Sequence, residues 1–109
     1  MALPLNVFKT VNSVATGSPV GIYTAPVGYS AVILMAQAAN TSDTTAHTIT
    51  FSHKRSSTTT ELMKSTAIEA NDSLGLLTGK LVLETGDSIE LSASDADIKV
   101  TISILETLN

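Results

Sequence analysis

The side chains of this 109-residue chain best suited to metal or proton-transfer chemistry are two histidines, His47 and His53, and four aspartates in turn-like sequence, Asp72, Asp87, Asp95 and Asp97. His47 and His53 fall on one face of an alternating stretch, but extended chain would hold them about 20 Å apart, too far to share one metal ion. They are expected to close the two ends of a core patch formed by Ile49 and Phe51. A hydrolytic triad would need one of them beside a serine and an aspartate, yet the Gly-x-Ser-x-Gly elbow does not occur. Asp95-Ala96-Asp97 has a ligand-like alternation, but neither EF-hand spacing nor a glycine-aspartate repeat supports calcium, so turn formation is the better account of all four aspartates. His53-Lys54-Arg55 is the one basic cluster; at a strand end beside a Ser/Thr loop, it is expected to be a solvated tip or an inter-subunit contact. Gly75, Gly79 and Gly86 lack the spacing and the following Lys-Ser/Thr of a phosphate cradle. The sequons Asn40-Thr41-Ser42 and Asn71-Asp72-Ser73 carry little meaning without a secretory leader. The expectation is a chain with no catalytic residues, no metal and no cofactor.

Composition narrows the partners. The net charge is −4 with 15% charged residues, and Ser and Thr make up more than a quarter of the chain. That surface is unlike the basic footprint of a nucleic-acid binder, and 4% aromatics with no Trp leaves few stacking platforms for bases or sugars. Cysteine is absent, which removes disulfide frameworks and thiol chemistry and fits synthesis in a reducing cytoplasm. Met1-Ala2-Leu3-Pro4-Leu5-Asn6 has neither a basic region nor a long apolar one, so export by a cleaved leader is not expected. No apolar run approaches bilayer-spanning length, and no membrane partner is expected. Residues 1–109 are read as one domain, long enough to bury roughly two-thirds of its unfolded surface without metal or disulfide help.

The elements that must position these groups are short and β-like. Residues 31–39 (AVILMAQAA) carry Gln37 as their only polar side chain and show no alternation. Such a run reads as a central strand covered on both faces, and the turn residues on either side favour a strand over a helix. Residues 7–15 form an expected edge strand with Val7, Lys9 and Val11 on one face and Phe8, Thr10 and Asn12 on the other. Residues 20–25 give a second strand. Residues 45–54 alternate cleanly, 61–68 less decisively, and 74–84 divide into two pieces. Ile89, Leu91 and Ala93 alternate with Ser88, Glu90 and Ser92. Ile98, Val100, Ile102 and Ile104 oppose Lys99, Thr101 and Ser103 in the clearest amphipathic strand. About eight strands separated by Gly, Pro, Asn, Asp and Ser turns predict an all-β antiparallel sandwich, jelly-roll or immunoglobulin-like, with strand order left open.

Three blocks, residues 22–29 (IYTAPVGY), 48–53 (TITFSH) and 76–88 (LLTGKLVLETGDS), followed by Ile-Leu-Glu near the C-terminus, resemble small virion structural proteins of tailed bacteriophages, particularly those of marine and cyanobacterial phages. The resemblance implies a non-enzymatic capsid decoration or cement-type protein, assembled in the host cytoplasm and carried on the virion. It implies a homo-oligomer, a trimer being favoured, that binds the major capsid protein or another virion protein. A tail, neck or fibre component and a carbohydrate-binding or adhesin module are the alternatives. No helix is expected to cover the outer side of residues 31–39, so a partner subunit becomes the expected cover, with Tyr29, Ile33, Leu34 and Met35 as the interface residues.

Overall fold

The computed structural model describes residues 5–109, in which nine strands form two sheets; the leader-free reading of the first residues falls largely on positions outside that range. In chain order the strands are β1 (Asn6–Val14), β2 (Val20–Thr24), β3 (Tyr29–Asn40), β4 (His47–Arg55), β5 (Thr58–Ile68), β6 (Ser73–Gly75), β7 (Leu81–Leu83), β8 (Ser88–Ala93) and β9 (Ile98–Leu108). One sheet runs β1-β9-β3, with β6 and β7 both pairing along the far edge of β3, and the other runs β2-β8-β4-β5. Every pairing is antiparallel. Counting β6 and β7 as one interrupted strand, the two four-stranded sheets β1-β9-β3-β6/β7 and β2-β8-β4-β5 have jelly-roll order, which decides between the two expected sandwich types. The divided stretch expected at residues 74–84 is that interruption.

Local chemistry explains the turns. Pro26-Val27-Gly28-Tyr29 closes with the Tyr29 amide donating to the Pro26 carbonyl at 3.1 Å, and Gly28 sits at φ 86°, the left-handed position such a turn requires. Gly86 does the same at φ 89° between β7 and β8. The undecided patterning of residues 61–68 also has a cause. Met63 pairs with Phe51 and Thr66 with Ile49, so two residues of β5 oppose one of β4, and Ser65 sits at φ 48° with its amide on the Thr50 hydroxyl. A bulge of this kind inverts the alternation halfway along the strand.

The core lies between the sheets. Ile98, Val100, Ile102 and Ile104 of β9 meet Ile49 and Phe51 of β4 and Ile89 and Leu91 of β8, all buried. Asn40 is buried too, with its amide donating to the Thr45 and Ile68 carbonyls and its side-chain oxygen accepting from the Ser42 amide. That satisfied set fixes the loop leaving β3 at little desolvation cost.

Candidate interaction surface

The apolar run lies where a central strand was expected, paired with β9 on one edge and with β6 and β7 on the other. Its register with β9 slips between Ile33 and Met35, placing a bulge at Leu34. Ala31 and Ile33 point inward before the bulge, and Ala36, Ala38 and Asn40 point inward after it. Without the extra residue the strict alternation of a strand would turn Gln37 into the core. With it, Gln37 is exposed, and Leu34 and Met35 are left on the outside, 36% and 40% exposed.

The outer side of this sheet is banded. Phe8 pairs with Leu105, Leu105 with Val32 and Val32 with Val82, so four apolar side chains cross β1, β9, β3 and β7 in one row. Phe8 is 75% and Val82 57% exposed. Polar rows flank it. On one side stand Asn6, Thr107 and Ser30, the Thr107 hydroxyl donating to the Asn6 side chain at 2.9 Å. On the other, beyond Leu34 and Met35, stand Asn12, Thr101 and Gln37, with the Thr101 hydroxyl on the Asn12 side chain at 2.8 Å. A groove of about 460 Å³ opens beside the bulge, between Leu34, Met35 and Gln37 and the Leu77–Lys80 connection. An apolar band with a hydrogen-bonding rim is the arrangement of a protein contact surface.

Of the four residues expected at the interface, Leu34 and Met35 lie on this surface. Ile33 does not: it has no exposure and belongs to the core, because its position precedes the bulge and shares the inward parity of Ala31. Tyr29 shares that same parity at the end of β3 and is half-buried, its carbonyl accepting from the Thr85 hydroxyl. Phe8, Leu105, Val32 and Val82 were not singled out from sequence. Phe8 was grouped only with Thr10 and Asn12 on one face of its strand, and the register is what shows that face to be the outer one and the four side chains to be in line.

The basic cluster stands at the β4–β5 hairpin, where Arg55 is half-exposed, but its charges are paired within the chain. Arg55 donates through Nε and Nη2 to both oxygens of Asp87 at 2.9 and 2.7 Å and reaches Glu84 at 2.7 Å. His53 Nε2 lies 3.1 Å from Asp87, and Lys54 pairs with Glu90 at 3.3 Å. Asp87 is 3% exposed and also accepts the Glu84 amide. The forked Arg55 bonds, helped by that amide and by His53, overcome the cost of burial and hold the Asp87 carboxyl well below the usual carboxylate range. The cluster's positive charge is thus matched within the chain, and the turn aspartate acts as a clamp between β4 and the β7–β8 turn.

A second buried polar group joins the sheets. Glu106 continues the inward row of β9, takes the Tyr23 hydroxyl from β2 and pairs with Lys9 of β1 at 3.2 Å. Burial first, and then the adjacent carboxylate, push the Tyr23 phenol far above its ordinary range. His47, at the other end of β4 from His53, faces Asp95 and Asp97 across 4.0 and 3.9 Å. The two histidines therefore have separate carboxylate partners, as their spacing along the strand requires.

Compared with known proteins, the chain matches no protein-family model and no curated protein.

Proposed function

We propose that this chain is a non-enzymatic structural protein of a bacteriophage virion, of the capsid decoration or cement type, that associates with copies of itself through the outer face of the five-stranded sheet and binds the major capsid protein. The observation that carries the reading is the Phe8–Leu105–Val32–Val82 row with Leu34 and Met35 beside it, an apolar band on a face that no other element of the described chain crosses. Covering Phe8, Val82, Leu34 and Met35 against a neighbour would contribute about 1–2 kcal/mol each before the cost of association. Weak contacts of that size, repeated over many copies on a particle, add by multivalency. The three sequence blocks that resemble phage virion proteins point the same way, as does a jelly-roll fold, although that fold serves many functions. The hydroxyl-rich, cysteine-free composition suits a protein assembled in a bacterial cytoplasm.

Cryo-electron microscopy of virions carrying the protein tests this reading. Density for the chain on the head, grouped about a local symmetry axis with its five-stranded sheet against neighbouring copies, is the expected result. Density on tail, neck or fibre moves the chain to the runner-up role within the virion. Absence from the particle together with specific hits on a glycan array would replace the reading with the adhesin alternative, for which Phe8 offers an exposed ring.

A further inference from the structure

We propose that His47, Asp95 and Asp97 form a binding site for a divalent transition-metal ion of the zinc type, at the strand end where β8 crosses over to β9. This inference is independent of the assembly reading. One nitrogen and two carboxylate oxygens converge there, all within 4.8 Å of one another. His47 Nε2 stands 4.0 Å from Asp95 Oδ2 and 3.9 Å from Asp97 Oδ2, too far for hydrogen bonds. Ligand atoms that each lie about 2.0–2.2 Å from a common ion are separated by roughly 3–4 Å, depending on the angle between them, so these three need only small side-chain adjustments to share one.

The other end of the same strand supplies the contrast. His53 Nε2 is 3.1 Å from Asp87 Oδ2, an oxygen that already accepts from Arg55 Nη2 and the Glu84 amide, while Arg55 Nε takes Oδ1. Around His47, the neighbouring groups hold the ligands without consuming the atoms that converge. The Ser94 hydroxyl accepts the Thr48 amide at 2.9 Å and stands 3.4 Å from His47 Nδ1, which leaves Nε2 to face the carboxylates. Asp95 Oδ1 accepts the Asp97 amide at 2.9 Å, which leaves Oδ2 free to turn to the ion. The Asp97 carbonyl takes both the amide and the hydroxyl of Thr41, anchoring the turn to the end of β3. Lys99, at the start of β9, donates to the Ala96 carbonyl of this turn. The imidazole is largely covered, at 13% exposure, while both carboxylates are half-exposed, so water can complete the coordination from the open side. An imidazole with two carboxylates suits zinc, cobalt or nickel better than calcium or magnesium, which favour all-oxygen sets.

The test uses the whole chain and zinc alone. Because the sequence contains two histidines, imidazole resonances in a zinc titration report on each site separately. The expected result is saturable one-to-one binding that shifts the His47 resonances and leaves those of His53 in place. His47→Gln should abolish it, and Asp95→Asn and Asp97→Asn should each weaken it by roughly tenfold or more. A titration that moves both histidines alike, moves neither, or does not saturate overturns the proposal on the unaltered chain, whether or not the variants fold. Wild-type affinity in a folded His47→Gln variant overturns it as well, and displacement of zinc by an equal concentration of calcium overturns the choice of metal class.

Discussion

The two sheets present opposite outer faces. On the four-stranded sheet, Thr48, Thr50, Ser52 and Lys54 of β4 lie beside Ser88, Glu90 and Ser92 of β8, and the Lys54 and Glu90 charges neutralise each other. That face carries hydroxyls and internally matched charge. On the five-stranded sheet the central strands place Leu105, Val32, Leu34 and Met35 outward, and Phe8 and Val82 extend the row to the sheet's edges. Both sheets supply comparable inner faces to the core. The proposed association draws on this difference, using the apolar outer face and leaving the hydroxyl-bearing one free.

The largest effect comes from testing the boundary within β3. Ile33→Asp places an unpaired carboxylate in the core and should cost more than about 4 kcal/mol, enough to leave little folded protein in a denaturant titration. Leu34→Asp, one residue along and already about a third exposed, should cost clearly less, about 1–2 kcal/mol, leaving the chain folded while removing association. Equal damage from both would mean that the bulge does not turn Leu34 outward.

Next in size is a change that lowers stability and spares the surface. Asp87→Ala removes the clamp that receives Arg55, His53 and the Glu84 amide and should cost about 1–2 kcal/mol, with association of the folded fraction unchanged. A milder form of the same test uses pH. Because the Asp87 carboxyl is held below its ordinary value of 3.8, folding favours the ionised form. Its contribution is therefore complete above that value and is lost as pH falls through the lower folded value. Stability measured from pH 6 down to pH 2 should decline less steeply in Asp87→Ala than in the unaltered chain. Parallel declines would remove Asp87 as a source of the acid sensitivity.

Much of this was legible in the sequence. Gly28, Gly86 and the Asn/Asp/Ser turns delimit the strands, and the Ile98–Ile104 alternation marks the inner face of β9 correctly. What was hidden depends on pairing between distant residues. Leu34 belongs outside and Ile33 inside only because the register with β9 slips at that point, and an uninterrupted apolar run carries no alternation to reveal the slip. Arg55 reads as a free cation until Asp87, 32 residues later, comes to lie beneath its guanidinium. His47 was weighed against His53, its neighbour in sequence, whereas the fold brings it to Asp95 and Asp97. Phe8 and Val82, far apart in sequence, lie in one row because β9 and β3 stand between their strands.

Sedimentation velocity of the unaltered chain beside a Phe8→Asp, Leu34→Asp double variant, over a range of concentrations, tests the central claim most directly. The outer-face account predicts a trimer or larger closed assembly for the first and a folded monomer for the second. A wild-type chain that stays monomeric at high concentration, or a folded double variant that assembles as the wild type does, would contradict it.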